Sequence, residues 1–230
     1  MRLISAGLTA ALAFAGVTGL AQGTAAAAEC KAVSVISARG TTEPQSGSWL
    51  QKPIGDKILA GVQDGKYTEL QYPADFSSGS PGTGVTNLVN LLNTEAQQCP
   101  DQKYVLMGYS QGAIVTGDAL VAPEKRRAGK DAGELSAAAS GKIAAVLLYG
   151  DPGFTAGEPF NVGDFDPAKQ ATAPRGKGAL DAYATRIQDY CVKDDFACQG
   201  STGNFIAHLG YFFNDMPDAG ARFALQKLQD

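Results

Sequence analysis

The segment Tyr104-Val105-Leu106-Met107-Gly108-Tyr109-Ser110-Gln111-Gly112-Ala113-Ile114-Val115 constrains this chain more than any other. An apolar, strand-like run passes through Gly-Tyr-Ser-Gln-Gly into a helix-like one, the context that a G-x-S-x-G turn requires. At such a turn the strand ends and the chain reverses sharply on the serine, here Ser110, in a strained conformation that lifts its hydroxyl clear of the sheet. Gly108 and Gly112 are needed because a side chain at either would strike the neighbouring strand or the outgoing helix. The five-residue pattern is short enough to arise by chance, and its flanks are what give it weight.

Residues 1–28 read as an export signal: Arg2 near the start, an apolar run from Leu8 to Leu20, then Ala26-x-Ala28 before Glu29. The uninterrupted apolar part is short for a bilayer span, so a membrane anchor is the weaker reading. Residues 29–230 are then enough for one domain with a substantial core. Arg2 is the only charged residue in the signal, so its removal turns the formal net charge of −4 into −5. Mild acidity, with no basic cluster beyond Glu124-Lys125-Arg126-Arg127, argues against a nucleic-acid partner, and that cluster reads as a solvated loop. The four cysteines, Cys30, Cys99, Cys191 and Cys198, suggest two disulfides in an exported chain, and no C-x2-C pair suggests zinc. Spacing leaves all three pairings open.

Ala32–Ala38 reads as a first strand, followed by the turn-forming Arg39-Gly40-Thr41-Thr42-Glu43-Pro44. Ile54, Ile58, Leu59 and Val62 fall at helical spacing; Tyr67–Tyr72 is a second strand; Pro73–Gly84 reads as a loop too glycine-rich for a regular element. Val85, Leu88, Val89 and Leu92 resume the helical period before Cys99, and Ile143–Tyr149 is a continuous apolar run typical of buried central strands. Gly153–Gly178 reads as a long surface connection, Ala184–Tyr190 as a short strand and Gly220–Leu228 as a terminal helix. Strand alternating with helix predicts an α/β fold with a mainly parallel sheet covered on both faces.

A serine hydroxyl needs a base to take its proton, usually a histidine. The chain has one, His208. It follows Ser110 in sequence, and with an intervening acid this is the order serine, acid, histidine of α/β-hydrolases. The acid that orients the imidazole must come from Asp151, Asp164, Asp166, Asp181, Asp189, Asp194 or Asp195. The segment Cys191–Cys198 is favoured, because a disulfide across so short a loop, worth ~2.5 kcal/mol by chain entropy, would fix a carboxylate near His208. Asp194 and Asp195 are equivalent on these grounds.

Together these residues resemble the cutinases, serine esterases of fungi and actinobacteria, over essentially all of 29–230. The carrying motifs are Cys30 before a strand and Ala38-Arg39-Gly40-Thr41-Thr42-Glu43; Cys99-Pro100-Asp101 before Gly108-Tyr109-Ser110-Gln111-Gly112; and Cys191-x3-Asp195-x2-Cys198 with His208 ten residues on. The resemblance implies a small cap-less α/β-hydrolase with a triad of Ser110, Asp195 and His208. It also implies disulfides Cys30–Cys99 and Cys191–Cys198, and an oxyanion hole from the amides of Thr41 and Gln111 with the Thr41 hydroxyl as a further donor. The expected activity is hydrolysis of cutin-type polyesters or short-to-medium acyl esters by a secreted monomer, without metal or cofactor, nucleic-acid partner or stable membrane insertion. Cell-envelope lipids and acetylated xylan are the alternative substrates, and a non-catalytic binding protein is the alternative of another class. Three departures stand out. Thr41 replaces a common serine. Thr202 and Asn204, among Gly200, Ser201, Gly203, Phe205 and Ile206, suggest a polar rim poorly suited to waxy polymer. Glu124–Gly141 is longer than in compact fungal members.

Overall fold

The computed structural model describes residues 29–200 and 204–230; the expected signal, 1–28, and residues 201–203 of the expected polar rim lie outside the described residues. Among the described residues six parallel strands form one sheet: β1 Val33–Ala38, β2 Gly65–Glu69, β3 Lys103–Tyr109, β4 Ile143–Tyr149, β5 Asn161–Val162 and β6 Ile187–Tyr190, in the order β2-β1-β3-β4-β6-β5. The helices are α1 Gln51–Ala60, α2 Ser80–Gln98, α3 Gln111–Ala119, α4 Ala137–Gly141, α5 Phe205–His208 and α6 Met216–Gln229. Among the described residues no helix is long and apolar enough to cross a membrane.

The central strands are buried on both faces, which explains their unbroken apolar sequences. Successive side chains alternate between faces. Ile36, Leu106, Val146 and Leu148 therefore meet Val85, Leu88 and Leu92 of α2 and Val115 of α3. Val35, Val105, Met107 and Leu147 meet Ile54 and Ile58 of α1 and Ala221 and Ala224 of α6. Chain order and spatial order together place the site. From β1 the chain winds outward to β2, then returns to β3 on the other side of β1, so the carboxyl ends of β1 and β3 border a topological switch point, where open α/β sheets bind ligands.

Five expectations need correction. Pro73–Gly84 is not wholly a loop, because α2 begins at Ser80, with Pro81 in its first turn. Gly84 is a packing residue: a Cβ there would meet Val115 of α3, so the two helices can approach only without it. The basic cluster is not simply solvated either. Arg126 is buried, its Nε donating to the Val121 carbonyl at 3.1 Å and Nη1 to that of Gly129 at 3.0 Å. Gly153–Gly178 is anchored inside the fold: it contributes β5, the buried Phe154 and Phe160, and the Arg175 side chain, which is only 2% exposed. The second strand also lies earlier than expected, at Gly65–Glu69, and α6 starts at Met216.

Candidate active site

β3 delivers Tyr109 to the sheet edge, and the next residue, Ser110, takes φ 54° and ψ −119°, outside the ordinary regions for a residue with a side chain. Such a conformation costs on the order of 1–3 kcal/mol and persists because its surroundings over-determine it. The Ser110 amide donates to the Tyr149 carbonyl at 2.9 Å, and the Ser110 carbonyl accepts from Ala113 at 2.9 Å, starting α3. The two flanking glycines have distinct reasons. A Cβ on Gly108 would collide with the Gly112 carbonyl, and one on Gly112 with the Ala38 carbonyl of β1.

The loop after β1 is held from beneath. Arg39 is buried and donates to the carbonyls of Glu43 (3.0 Å), Tyr72 (2.6 Å) and Pro73 (3.0 Å). The buried Glu43 carboxylate accepts from the amides of Gly40 (2.5 Å) and Trp49 (2.8 Å) and from the Ser48 hydroxyl (3.2 Å). Between these anchors Thr41 faces Gln111, whose Nε2 donates to Thr41 Oγ1 at 3.1 Å and to the Asp75 carbonyl at 2.8 Å. The Gln111 side-chain Oε1 accepts from Ser80 Oγ at 2.8 Å. With its oxygen already accepting, the Thr41 hydroxyl keeps its proton to donate. The Gln111 main-chain N–H, in the first turn of α3, is one of those that a helix leaves without an internal acceptor.

His208 lies at the end of α5, 3% exposed. Its Nδ1 is 2.8 Å from Asp195 Oδ1 and 3.0 Å from Oδ2. An ionised carboxylate only accepts, so Nδ1 carries the proton and Nε2 presents its lone pair. Asp195 is fully buried and also accepts from the Ala197 amide (2.7 Å) and the Tyr211 hydroxyl (2.7 Å). Tyr109 stacks on the imidazole with centroids 5.0 Å apart and donates its hydroxyl to the His208 carbonyl at 2.9 Å. Phe196 covers the ring from the disulfide loop at 4.7 Å.

Among the described residues no other candidate acid contacts His208. Asp194, at φ 63°, faces outward to Lys169 at 3.1 Å. Asp164 and Asp166 accept nearby amides, and Asp181 opens a short 3-10 turn. Asp151 pairs with Arg175, which also holds Asp118 at 2.9 Å. Asp189 is buried, and desolvation together with the Asp151 charge pushes its carboxyl well above the ordinary range. The cysteines pair as Cys30–Cys99 and Cys191–Cys198.

Thr41, Ser110, Gln111 and His208 share one cleft of about 400 Å³. Its wall and rim are aromatic: Trp49, Phe76 and Phe205 are 62%, 88% and 61% exposed, and Ile206, next to Phe205 in the chain, is 81% exposed. The expected polar rim is thus corrected for the described residues. Asn204 uses its side chain to cap α5, accepting from Ala207 at 3.1 Å, and Trp49 and Phe76 come from two further loops that a count within one segment does not combine. Sequence reasoning also missed Tyr109, Phe196 and Tyr211 around the imidazole. The i, i+3 spacing of His208 and Tyr211 was a usable signal.

The sequence pattern of the Cutinase family matches residues 29–228. The chain belongs to the Cutinase family. A cutinase of Hypocrea jecorina is 34% identical over 194 residues, covering 79% of this chain and 62% of the relative. One from the actinobacterium Kineococcus radiotolerans is 33% identical over 203 residues, covering 86% and 62%. The chain thus spans about three-fifths of the length of these family members. The solved catalytic core of acetyl xylan esterase from Trichoderma reesei is similar at TM-score 0.72 and 27% identity, over 86% of this chain and all of that one.

Proposed function

We propose that this protein is a secreted serine esterase that hydrolyses carboxylic esters, cutin-type polyesters or short-to-medium acyl esters, through an acyl-enzyme on Ser110. The observation that carries this is the buried Asp195–His208 pair opening onto the same cleft as the strained Ser110. Nε2 of His208 takes the hydroxyl proton as Ser110 attacks the ester carbonyl. Asp195 holds the tautomer and offsets the charge of the imidazolium. The amides of Thr41 and Gln111, with the Thr41 hydroxyl, receive the oxyanion, each such donor being worth about 3–4 kcal/mol in the transition state. His208 then protonates the leaving alcohol, and water repeats the sequence to release the acid.

Family membership supports ester chemistry, and two disulfides with an apolar run in residues 1–28 support export. The exposed aromatic rim favours an apolar, aggregated ester over a hydrated polysaccharide acetate, although an acetylxylan esterase shares the fold. Rates on p-nitrophenyl esters from acetyl to palmitoyl, beside a polyester film, an acetylated xylan and a phospholipid emulsion, separate these substrates. Ser110→Ala and His208→Ala should each remove at least ~10³-fold of the ester turnover while circular dichroism stays unchanged. Full turnover in either variant sinks the assignment.

A further inference from the structure

Tyr211 is fully buried, three residues past His208, where a 3-10 turn (Gly210–Phe212) continuing from α5 sets the two on one face. Its hydroxyl accepts from the Val192 amide at 3.1 Å. That contact occupies the oxygen and leaves the hydroxyl proton directed at Asp195 Oδ2, 2.7 Å away. The ring is locked edge-on against Tyr109 and Tyr149, and the hydroxyl lies 3.5 Å from Cys198 Sγ of the short disulfide. Burial, with the Asp195 charge beside it, pushes the phenol well above its ordinary range, so it stays a neutral donor.

We propose that Tyr211 is a positioning residue for ester hydrolysis: its hydroxyl shares the Asp195 charge and fixes the carboxylate plane, so that the imidazole is held in line yet gives up its proton readily. This rests on the assignment of Ser110, His208 and Asp195 as the reacting set. A carboxylate without this second side-chain donor would keep more charge facing Nδ1 and hold the protonated imidazole more tightly. The other titratable or charged groups around the ring are Tyr109 stacked on it, Glu43 in the cleft, Asp151 just past Gly150, and Asp189 behind Tyr211. All are unchanged by a substitution at Tyr211.

The test is Tyr211→Phe, assayed on a soluble butyrate ester across pH, with active sites counted by a p-nitrophenyl phosphonate and folding followed by thermal melting. The expected result is kcat per titrated site down about tenfold, KM within about twofold, and the acid limb of the profile moved up by roughly half a unit to one unit. Replacing Tyr211 by 4-aminophenylalanine, which keeps a weaker N–H donor in place, should restore most of kcat and bring the limb only part-way back to its original position. An unchanged kcat and acid limb in Tyr211→Phe, whatever the melting temperature does, overturns the proposal and leaves the residue a packing group. If Tyr211→Phe does not fold, the aminophenylalanine protein decides: its weaker donor must move the limb part-way up, and an unmoved limb overturns the proposal. Failure of the underlying assignment looks different, because the unsubstituted protein would then neither hydrolyse the ester nor be labelled at Ser110, and the role of Tyr211 falls with it.

Discussion

Neighbouring aspartates with the same chemistry have opposite fates. Asp194, at positive φ, points to Lys169 and solvent, whereas Asp195 is buried with all its donors supplied. Under the proposed mechanism, Asp195→Asn should lower kcat by about 10³–10⁴-fold, because an amide favours the wrong imidazole tautomer. Asp194→Asn should stay within about threefold, since an exposed ion pair contributes little; steady-state kinetics on one soluble ester compare the two, and the reverse ranking would exchange the roles. Asp189 makes a different prediction. Its folded-state carboxyl is raised, first by desolvation and then by Asp151, so its stabilising contribution is complete below the ordinary carboxylate range and is lost as pH rises through the raised value. Asp189→Asn should therefore raise the melting temperature at alkaline pH and change it little near pH 4. Equal shifts at both pH values would show that this proton is not linked to folding.

At the scale of elements, the slot between α3 and the loop after β4 is built around Arg175. Its guanidinium occupies the space where side chains on Gly117 and Gly153 would lie. It pairs with Asp118 and Asp151 and donates to the Ala113 carbonyl at 3.0 Å, tying the helix that follows Ser110 to the segment that passes His208. Arg175→Met strands two buried carboxylates and should cost about 3–5 kcal/mol in a denaturant melt. A loss below 1 kcal/mol would mean that those carboxylates find other partners. Nothing local in Gly153–Gly178 reveals this, since the pattern there is that of a loop and the anchor is one long side chain reaching across 57 residues to Asp118.

For the whole molecule, the sheet edge gathers the loops after β1, β3, β4 and β6, and the aromatic rim surrounds what they gather. Apolar groups this exposed are available to a non-aqueous surface, and burying each would contribute roughly 1.5–3 kcal/mol. The double substitution Phe76→Ser with Ile206→Ser should reduce hydrolysis of a polyester film at least ~10-fold while changing turnover of a soluble acetyl ester by less than about threefold. Equal losses on both substrates would place these side chains in the chemistry instead of in adsorption.

What could be read from the chain by itself was whatever local pattern carries: the strand–serine–helix turn, the apolar runs of β1, β3 and β4, the helical faces of α1 and α2, and a lone histidine with no competitor for its role. Backbone sterics and burial periodicity act over a few residues, so they leave marks in sequence. The α2 start at Ser80, the buried arginines and the aromatic rim were decided only in three dimensions. Each depends on which distant segment supplies a partner, and a glycine, an arginine or an exposed phenylalanine is written identically whether or not that partner arrives.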